Sequence, residues 1–236
     1  MIKLRYIILL TLVIVSNIEV LAQKTEVRNL SSFDEINFQI PVELVLIQGK
    51  EEKIAIETTG FEPSLINSYV RREALTLVTR DYQKFRSVTS EKLPKVYLYF
   101  NKLLRIHVAP GTILNTQNTI RGFELRIKVR QIIVKRFDID VSKFIVQIEP
   151  GGKLEGVTGV VGKLDLEVNM QAQFDGSKLL ADFVVADVID RGVANVNVKH
   201  SLHATIKTFG KLNYIGDPTE LITKVKSGGK IAKLEQ

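Results

Sequence analysis

Three carboxylates, Asp165, Glu167 and Asp187, have types and spacing that suit chemistry. Two of them alternate, and the third follows Glu167 by 20 residues. Alternate residues share one face of a strand, so the three would cluster if strands with that spacing lay side by side. Such a cluster can hold Ca²⁺ through oxygen ligands or supply the acid and base of glycoside hydrolysis. The plainer reading is a solvated charged face, the ordinary setting for carboxylates, balanced by Arg126 and Lys128. Asp138 and Asp140 form a similar pair, expected to point outward from a strand end or turn.

A second group is cationic: Arg121, Arg126, Lys128, Arg130, Lys135 and Arg136 fall within two successive units of the chain. A patch of this kind would hold an anionic polysaccharide, lipopolysaccharide or extracellular DNA through salt-sensitive contacts. It reads equally as charge that keeps the chain soluble. Smaller basic clusters lie at Arg71-Arg72 and at Lys224, Lys226, Lys230 and Lys233. His200 and His203 are close in sequence, but zinc needs further ligands, and an extended segment would project them to opposite faces. His107 stands alone. The chain lacks the nucleophile elbow, the phosphate-binding loop and the dinucleotide fingerprint. Gly159-Val160-Val161-Gly162 has glycine spacing without the Lys and Ser/Thr of a phosphate loop, so a corner explains it better. No residue is assigned to catalysis, to a cofactor or to a metal. No motif for sequence-specific nucleic-acid recognition is visible.

The elements that must position these groups are strands. The chain has 236 residues, 45% hydrophobic and 25% charged, with 15 Gly, 6 Pro and a net charge of +7. This composition is globular and excludes collagen, disorder and a polytopic membrane protein. The absence of Cys excludes a disulfide framework, a thiolate metal site and a cysteine nucleophile. Apolar residues alternate at Val42, Leu44 and Leu46, at Ile54 and Ile56, at Leu75 and Leu77, and at Val96, Leu98 and Phe100. Period two means strands with one buried face. Asp34 to Phe100 therefore holds four or five strands. Pro63 to Tyr69 is the best candidate for a turn or two of helix, and Arg80 to Pro94 reads as an exposed loop.

From Leu104 onward a repeat takes over. Triplets of alternating apolar residues recur as Leu104/Ile106/Val108, Leu125/Ile127/Val129, Phe144/Val146/Ile148, Leu164/Leu166/Val168, Val184/Ala186/Val188 and Leu202/Ala204/Ile206, with Val225 opening a partial unit. Their third members are spaced by 21, 19, 20, 20, 18 and 19 residues. A β-sandwich would also alternate, but with strand spacing of about 8 to 12 residues. A near-constant period close to 20 favours a solenoid of stacked coils. Like positions then form ladders about 4.8 Å apart. One outward ladder runs His107, Lys128, Gln147, Glu167, Asp187, Thr205, Lys224, and its neighbour runs Arg105, Arg126, Ile145, Asp165, Val185, His203. Corners are expected at Ala109-Pro110-Gly111, Glu149-Pro150-Gly151-Gly152, Asp190-Arg191-Gly192, Phe209-Gly210 and Ser227-Gly228-Gly229, with Gly supplying positive φ. Arg130-Gln131-Ile132 and Asn169-Met170-Gln171 lack glycine at that place.

Residues 1–22 read as a signal peptide: Lys3 and Arg5, an apolar run from Ile7 to Val15, then Val20-Leu21-Ala22 before Gln23. The run is too short to span about 30 Å of hydrocarbon. The division expected is 1–22 signal peptide, 23–103 a strand-rich N-terminal part, and 104–236 the solenoid coils, the last two packed as one continuous domain. The destination expected is the periplasm or surface of a bacterium, since a cysteine-free chain needs no oxidising machinery.

Phe33-Asp34-Glu35-Ile36, Val42-Glu43-Leu44, Gln48-Gly49 and Ala74-Leu75-Thr76-Leu77 resemble the opening strands of the head GIN domain family. Tyr214-Ile215-Gly216-Asp217-Pro218 and Ser227-Gly228-Gly229-Lys230-Ile231 resemble its closing motifs. That family is described as auto-transporter adhesins of unknown function. The resemblance covers about Ser32 to Leu234 and implies a right-handed parallel β-helix-like stack, all-β, behind the N-terminal strands. The family's corners are usually Ser-Gly-rich, and only Ser227 to Gly229 keeps that form here. The expected function is an exported, non-enzymatic binding or adhesion module of the envelope, with an anionic polysaccharide or an envelope protein as partner. The alternatives are a polysaccharide-degrading enzyme on a β-helix and a structural or assembly protein.

Overall fold

The structure is a computed structural model that describes residues 23–90 and 92–235. The expected signal peptide, residues 1–22, lies outside the described residues. The chain is a parallel β-solenoid of about six turns. Each coil presents three faces; the second pairs through residues 113–116, 133–136, 153–154, 173–176, 193–197, 211–215 and 230–233, and the third through residues 120–122, 137–141, 157–161 and 178–181. The first carries the apolar triplets: Arg105–Val108, the middle of Ile120–Gln131, and the corresponding parts of Ile133–Leu154, Val157–Val168, Gln173–Val188, Val193–Ile206 and Glu220–Val225.

The register follows the sequence period. Ile106 pairs with Ile127, Ile127 with Val146, Val146 with Leu166, Leu166 with Ala186, and Ala186 with Ala204. All of these side chains are buried. Flanking columns run from Leu125 through Phe144, Leu164 and Val184 to Leu202, and from Val129 through Ile148, Val168 and Val188 to Ile206. The stack forms because a single coil has too little interior to bury its own apolar face. Both outward ladders hold the predicted pairings: Glu167 lies beside Asp187, and Asp165 beside Ile145 and Val185.

At Gly111, Gly151 and Gly228 a glycine supplies the positive φ expected of a corner, at 85°, 67° and 75°, but three other corners are built differently. In the four-residue turns from Asn169 to Ala172, Ile189 to Gly192 and Lys207 to Gly210, the last N–H donates to the first carbonyl. Positive φ falls on Met170 and Gln171, on Asp190 and Arg191, and on Thr208 and Phe209, none of them glycine. The glycine that closes the turn has another purpose. A Cβ on Gly192 would lie 2.4 Å from the Val168 carbonyl oxygen of the coil beneath, and one on Gly210 would lie 2.3 Å from that of Val188. These glycines allow one coil to sit directly on the next. Backbone bonds such as Gln171 N–H to Asp190 O, 3.0 Å, and Arg191 N–H to Thr208 O, 2.9 Å, then continue the stacking through the corners.

The N-terminal part extends the same stack and closes its end. Glu35–Phe38 pairs in parallel with Arg105–Val108 above and with Ala74–Thr79 below. Glu43–Gln48 pairs with Ile113–Thr116 above and Lys95–Phe100 below. Antiparallel strands then follow on each side: Ile66–Arg71 on Ala74–Thr79, and Lys53–Thr59 followed by Gln23–Asn29 on Lys95–Phe100. Gln48 stitches the two parts together, accepting from Arg121 N–H at 2.7 Å and donating to the Arg121 carbonyl at 2.8 Å.

Two local readings change. Pro63 to Tyr69 is a 3-10 turn at Pro63–Leu65 followed by the strand Ile66–Arg71, because pairing with Ala74–Thr79 outweighs helix propensity. The polar stretch from Arg80 contains a helix, α1, Tyr82–Val88. The Asp81 side chain accepts from Lys84 N–H at 2.9 Å and caps it. Its one large buried residue, Phe85, meets Phe61 edge-on at 6.4 Å between ring centres. A single anchor in a polar segment leaves no helical period to read.

Candidate functional site

The flat outward surface of the first face is the main candidate. Its side chains project from strands held in strict register, so each column is a straight row. Asp165 sits between two ammonium groups, Lys163 Nζ at 2.8 Å and Lys143 Nζ at 3.3 Å. Lys143 also approaches Glu124 at 3.8 Å, so charges alternate along this part of the face. Glu167 accepts from Asn169 at 3.0 Å and from Gln147 at 3.4 Å. Asp165, Glu167 and Asp187 are therefore neighbours, as their spacing implies, but two of the three are already occupied by donors. Among the described residues, no group of three or more His, Cys, Asp or Glu is placed to hold a metal ion.

The six basic residues separate. Arg126 and Lys128 project together from the first face, and Arg130 follows them to the corner. Arg121 lies on the third face, 3.5 Å from Asp140. Lys135 lies on the second face and pairs with Glu43 at 2.8 Å. Arg136 turns back to Asp138 at 3.2 Å. Arg126 meets Glu124 at 3.2 Å, and Lys128 lies 3.8 Å from Glu149. Two units of sequence wrap once or more around the solenoid, which is why closeness in sequence does not become closeness on one surface.

Lys128 and Arg130 nonetheless share a recess. A cleft of about 390 Å³ opens at this corner, with Asn37, Gln39, His107, Lys128, Arg130 and Glu149 at its polar rim and Ala109 and Pro110 beside them. Asn37 and His107 are register partners on adjacent strands. The cleft joins the N-terminal part to the first coils, and its amides were not singled out by sequence because the N-terminal strands lie outside the repeat.

Asp138 is a different kind of residue from Asp165. It accepts from Thr119 at 2.7 Å, Arg136 at 3.2 Å and Thr158 at 3.3 Å. Burial pushes its pKa up, but these three donors together outweigh burial and hold it below the ordinary aspartate value. It lies on the outward face, as its alternation with the buried Phe137 and Ile139 requires, and from there fastens neighbouring coils.

The two histidines depart from expectation. A register shift between Ala181 and Phe183 breaks the alternation, so both rings lie near the surface. His200 Nε2 lies 3.8 Å from Asp182, and His203 Nε2 lies 3.2 Å from Glu220. Beside them Phe183 and Val185 project outward, 50% and 40% exposed. Their alternation was visible, but with Lys163 and Asp165 below them the column looks polar.

The family model described as "Putative auto-transporter adhesin, head GIN domain" matches residues 32–218. The chain belongs to the head GIN domain family. The family member described here superposes on a "putative adhesin" from Bacteroides fragilis NCTC 9343 with a TM-score of 0.78 at 18% identity, over 90% of this chain and 97% of that one. A "putative lipid binding protein" from Parabacteroides distasonis ATCC 8503 gives 0.71 at 16% identity, over 90% and 97%. A "putative adhesin" from Parabacteroides merdae ATCC 43184 gives 0.62 at 17% identity, over 90% and 96%. At these identities the likeness is one of fold. No curated protein matches the chain. Among the described residues no helix is long and apolar enough to cross a membrane.

Proposed function

We propose that this head GIN protein is an exported, non-catalytic binding module of the bacterial envelope that holds an anionic surface glycan. The observation that carries this reading is the corner cleft, where His107, Lys128 and Arg130 stand beside the amides of Asn37 and Gln39. Guanidinium and ammonium groups draw carboxylate or sulfate groups of a polymer, and amides bind sugar hydroxyls. The adjoining straight columns of the first face suit a repeating chain that makes the same weak contact several times. The family description as adhesins supports binding at a surface. Hydrolysis is the weaker reading, because Asp165 is clamped by Lys143 and Lys163 on an open flat face. A structural role in the envelope is a second reading, favoured by the uncovered last coil, where Leu221 and Val225 are 46% and 41% exposed.

Retention of the protein in affinity gels, on neutral and anionic bacterial glycans at low and high salt, tests the proposal. The same samples are assayed for new chain ends. The expected result is retention on anionic glycans that weakens with salt and produces no ends. New ends would overturn the non-catalytic reading, and equal retention on neutral glycans would remove the cationic cleft from it. Absence of retention on every glycan would redirect the search to envelope proteins.

A further inference from the structure

The two ends of the stack differ. The N-terminal end is closed by antiparallel strands and α1. At the other end the last first-face strand, Glu220–Val225, pairs among the described residues on one side only, with Val193–Ile206. Every residue of this strand is exposed, and the next strand, Lys230–Lys233, is little better covered. Leu221, Thr223 and Val225 continue the three interior columns, as their register with Leu202, Ala204 and Ile206 shows. They are core positions with no coil above them among the described residues. Lys226 N–H bonds back to Ile206. By alternation the N–H and C=O groups of Leu221, Thr223 and Val225 then face the open end, as a template for another strand.

We infer that this end is the interface of a two-fold dimer, in which the last coils of two copies of the chain meet end to end and Glu220–Val225 pairs antiparallel with its own copy. A two-fold axis requires a self-complementary strand, and the sequence supplies one about Thr223. Pairing centred there sets Leu221 opposite Val225 of the copy, so apolar interior meets apolar interior and the two stacks stay coaxial. It sets Thr223 opposite its own copy, a pairing that Thr hydroxyls satisfy across strands. This is the place in its column where a polar residue replaces the Ile, Val, Leu and Ala of earlier coils. The same register puts Glu220 opposite Lys226, twice by symmetry. The outward Ile222, 54% exposed, gains the aliphatic stem of Lys224. Lysines gather at this end, and Glu220 is the carboxylate on the strand that meets them. A head-to-tail polymer is disfavoured because the opposite end carries α1 over its core.

Sedimentation equilibrium of the purified full chain over a range of concentrations gives the first readout. A monomer–dimer equilibrium is expected, weakened about tenfold or more by Lys226→Glu. Exchange of both charges, Glu220→Lys with Lys226→Glu, restores it. Thr223→Cys gives the second readout in a chain that has no other cysteine. Mild oxidation should link this variant covalently as a dimer, while Lys153→Cys, remote on the second face, should associate as the parent does but form no covalent link. A chain that remains monomeric at every concentration overturns the proposal. So does a dimer that is indifferent to Lys226→Glu and fails to link through Thr223→Cys, since it would use another surface. Circular dichroism of each variant separates loss of pairing from loss of fold.

Discussion

The hydroxyl of Thr119 donates to the carboxylate of Asp138 at 2.7 Å, joining the strand connection of one coil to the coil that follows. The other oxygen of the same carboxylate receives Thr158 from the coil beyond, at 3.3 Å. One side chain thus fastens three successive layers, and Thr116 Oγ1 accepts from the Asp138 N–H at 3.1 Å to complete the clip.

Asp138→Asn should cost about 1–3 kcal/mol at neutral pH through the loss of charge-assisted hydrogen bonds. The folded-state pKa of Asp138 is lowered, so its contribution is fully present above the unfolded value, near 3.8, and is lost as pH falls through the folded value. Urea unfolding of both proteins from pH 7 down to pH 2 should show their difference shrinking only in the acid range. A constant difference would mean that the ionised carboxylate is not what fastens the coils.

The interior ladder predicts the response to a buried charge. Leu166 is 4% exposed between Val146 and Ala186. Leu166→Asp should lower stability by more than about 3 kcal/mol, because the carboxylate would be left without a partner. A thermal midpoint unchanged from the parent would refute the column assignment.

The corner predicts opposite signs at adjacent residues. Gly192→Ala should destabilise by about 1–3 kcal/mol, since its Cβ must displace the coil beneath. Arg191→Gly should stabilise by about 0.5–1 kcal/mol, because Arg191 holds a φ of 62° that glycine adopts freely. Denaturant midpoints of the two variants check this, and a loss of stability in both would show that the arginine side chain matters more than its backbone.

The cleft predicts which cations bind. Lys128→Glu and Arg130→Glu should each reduce retention on an anionic glycan several-fold and flatten its salt dependence. Lys135→Glu, on another face, should leave retention nearly unchanged. Equal effects from all three in gel-retention assays would point to diffuse charge in place of a site.

The stack was legible because its period is strict. The triplets ending at Val129, Ile148, Val168, Val188 and Ile206 specify the interior columns, and the outward ladders follow from alternation alone. Contacts that depend on how many faces a coil turns were not legible. Arg121 and Lys135 are close in sequence to Arg126, yet they leave by different faces. Gly192 and Gly210 were recognised with the wrong cause, because a close approach between layers leaves the same residue type as the positive φ that Gly111, Gly151 and Gly228 do supply. Helix α1 rests on Phe85 alone, and the recess at Lys128 draws Asn37 and Gln39 from outside the repeat. Neither has a sequence period to announce it.

The closed N-terminal end also gives the stack a direction in time. In the dissociated monomer, protection of backbone amides against hydrogen exchange should grade along the molecule, deepest under α1 and Phe100 and shallowest at Glu220–Val225, so that the single stack frays layer by layer from one side. A solenoid with a lid at one end therefore behaves as a zipper with a fixed stop, and the first layers set the register that every later layer inherits.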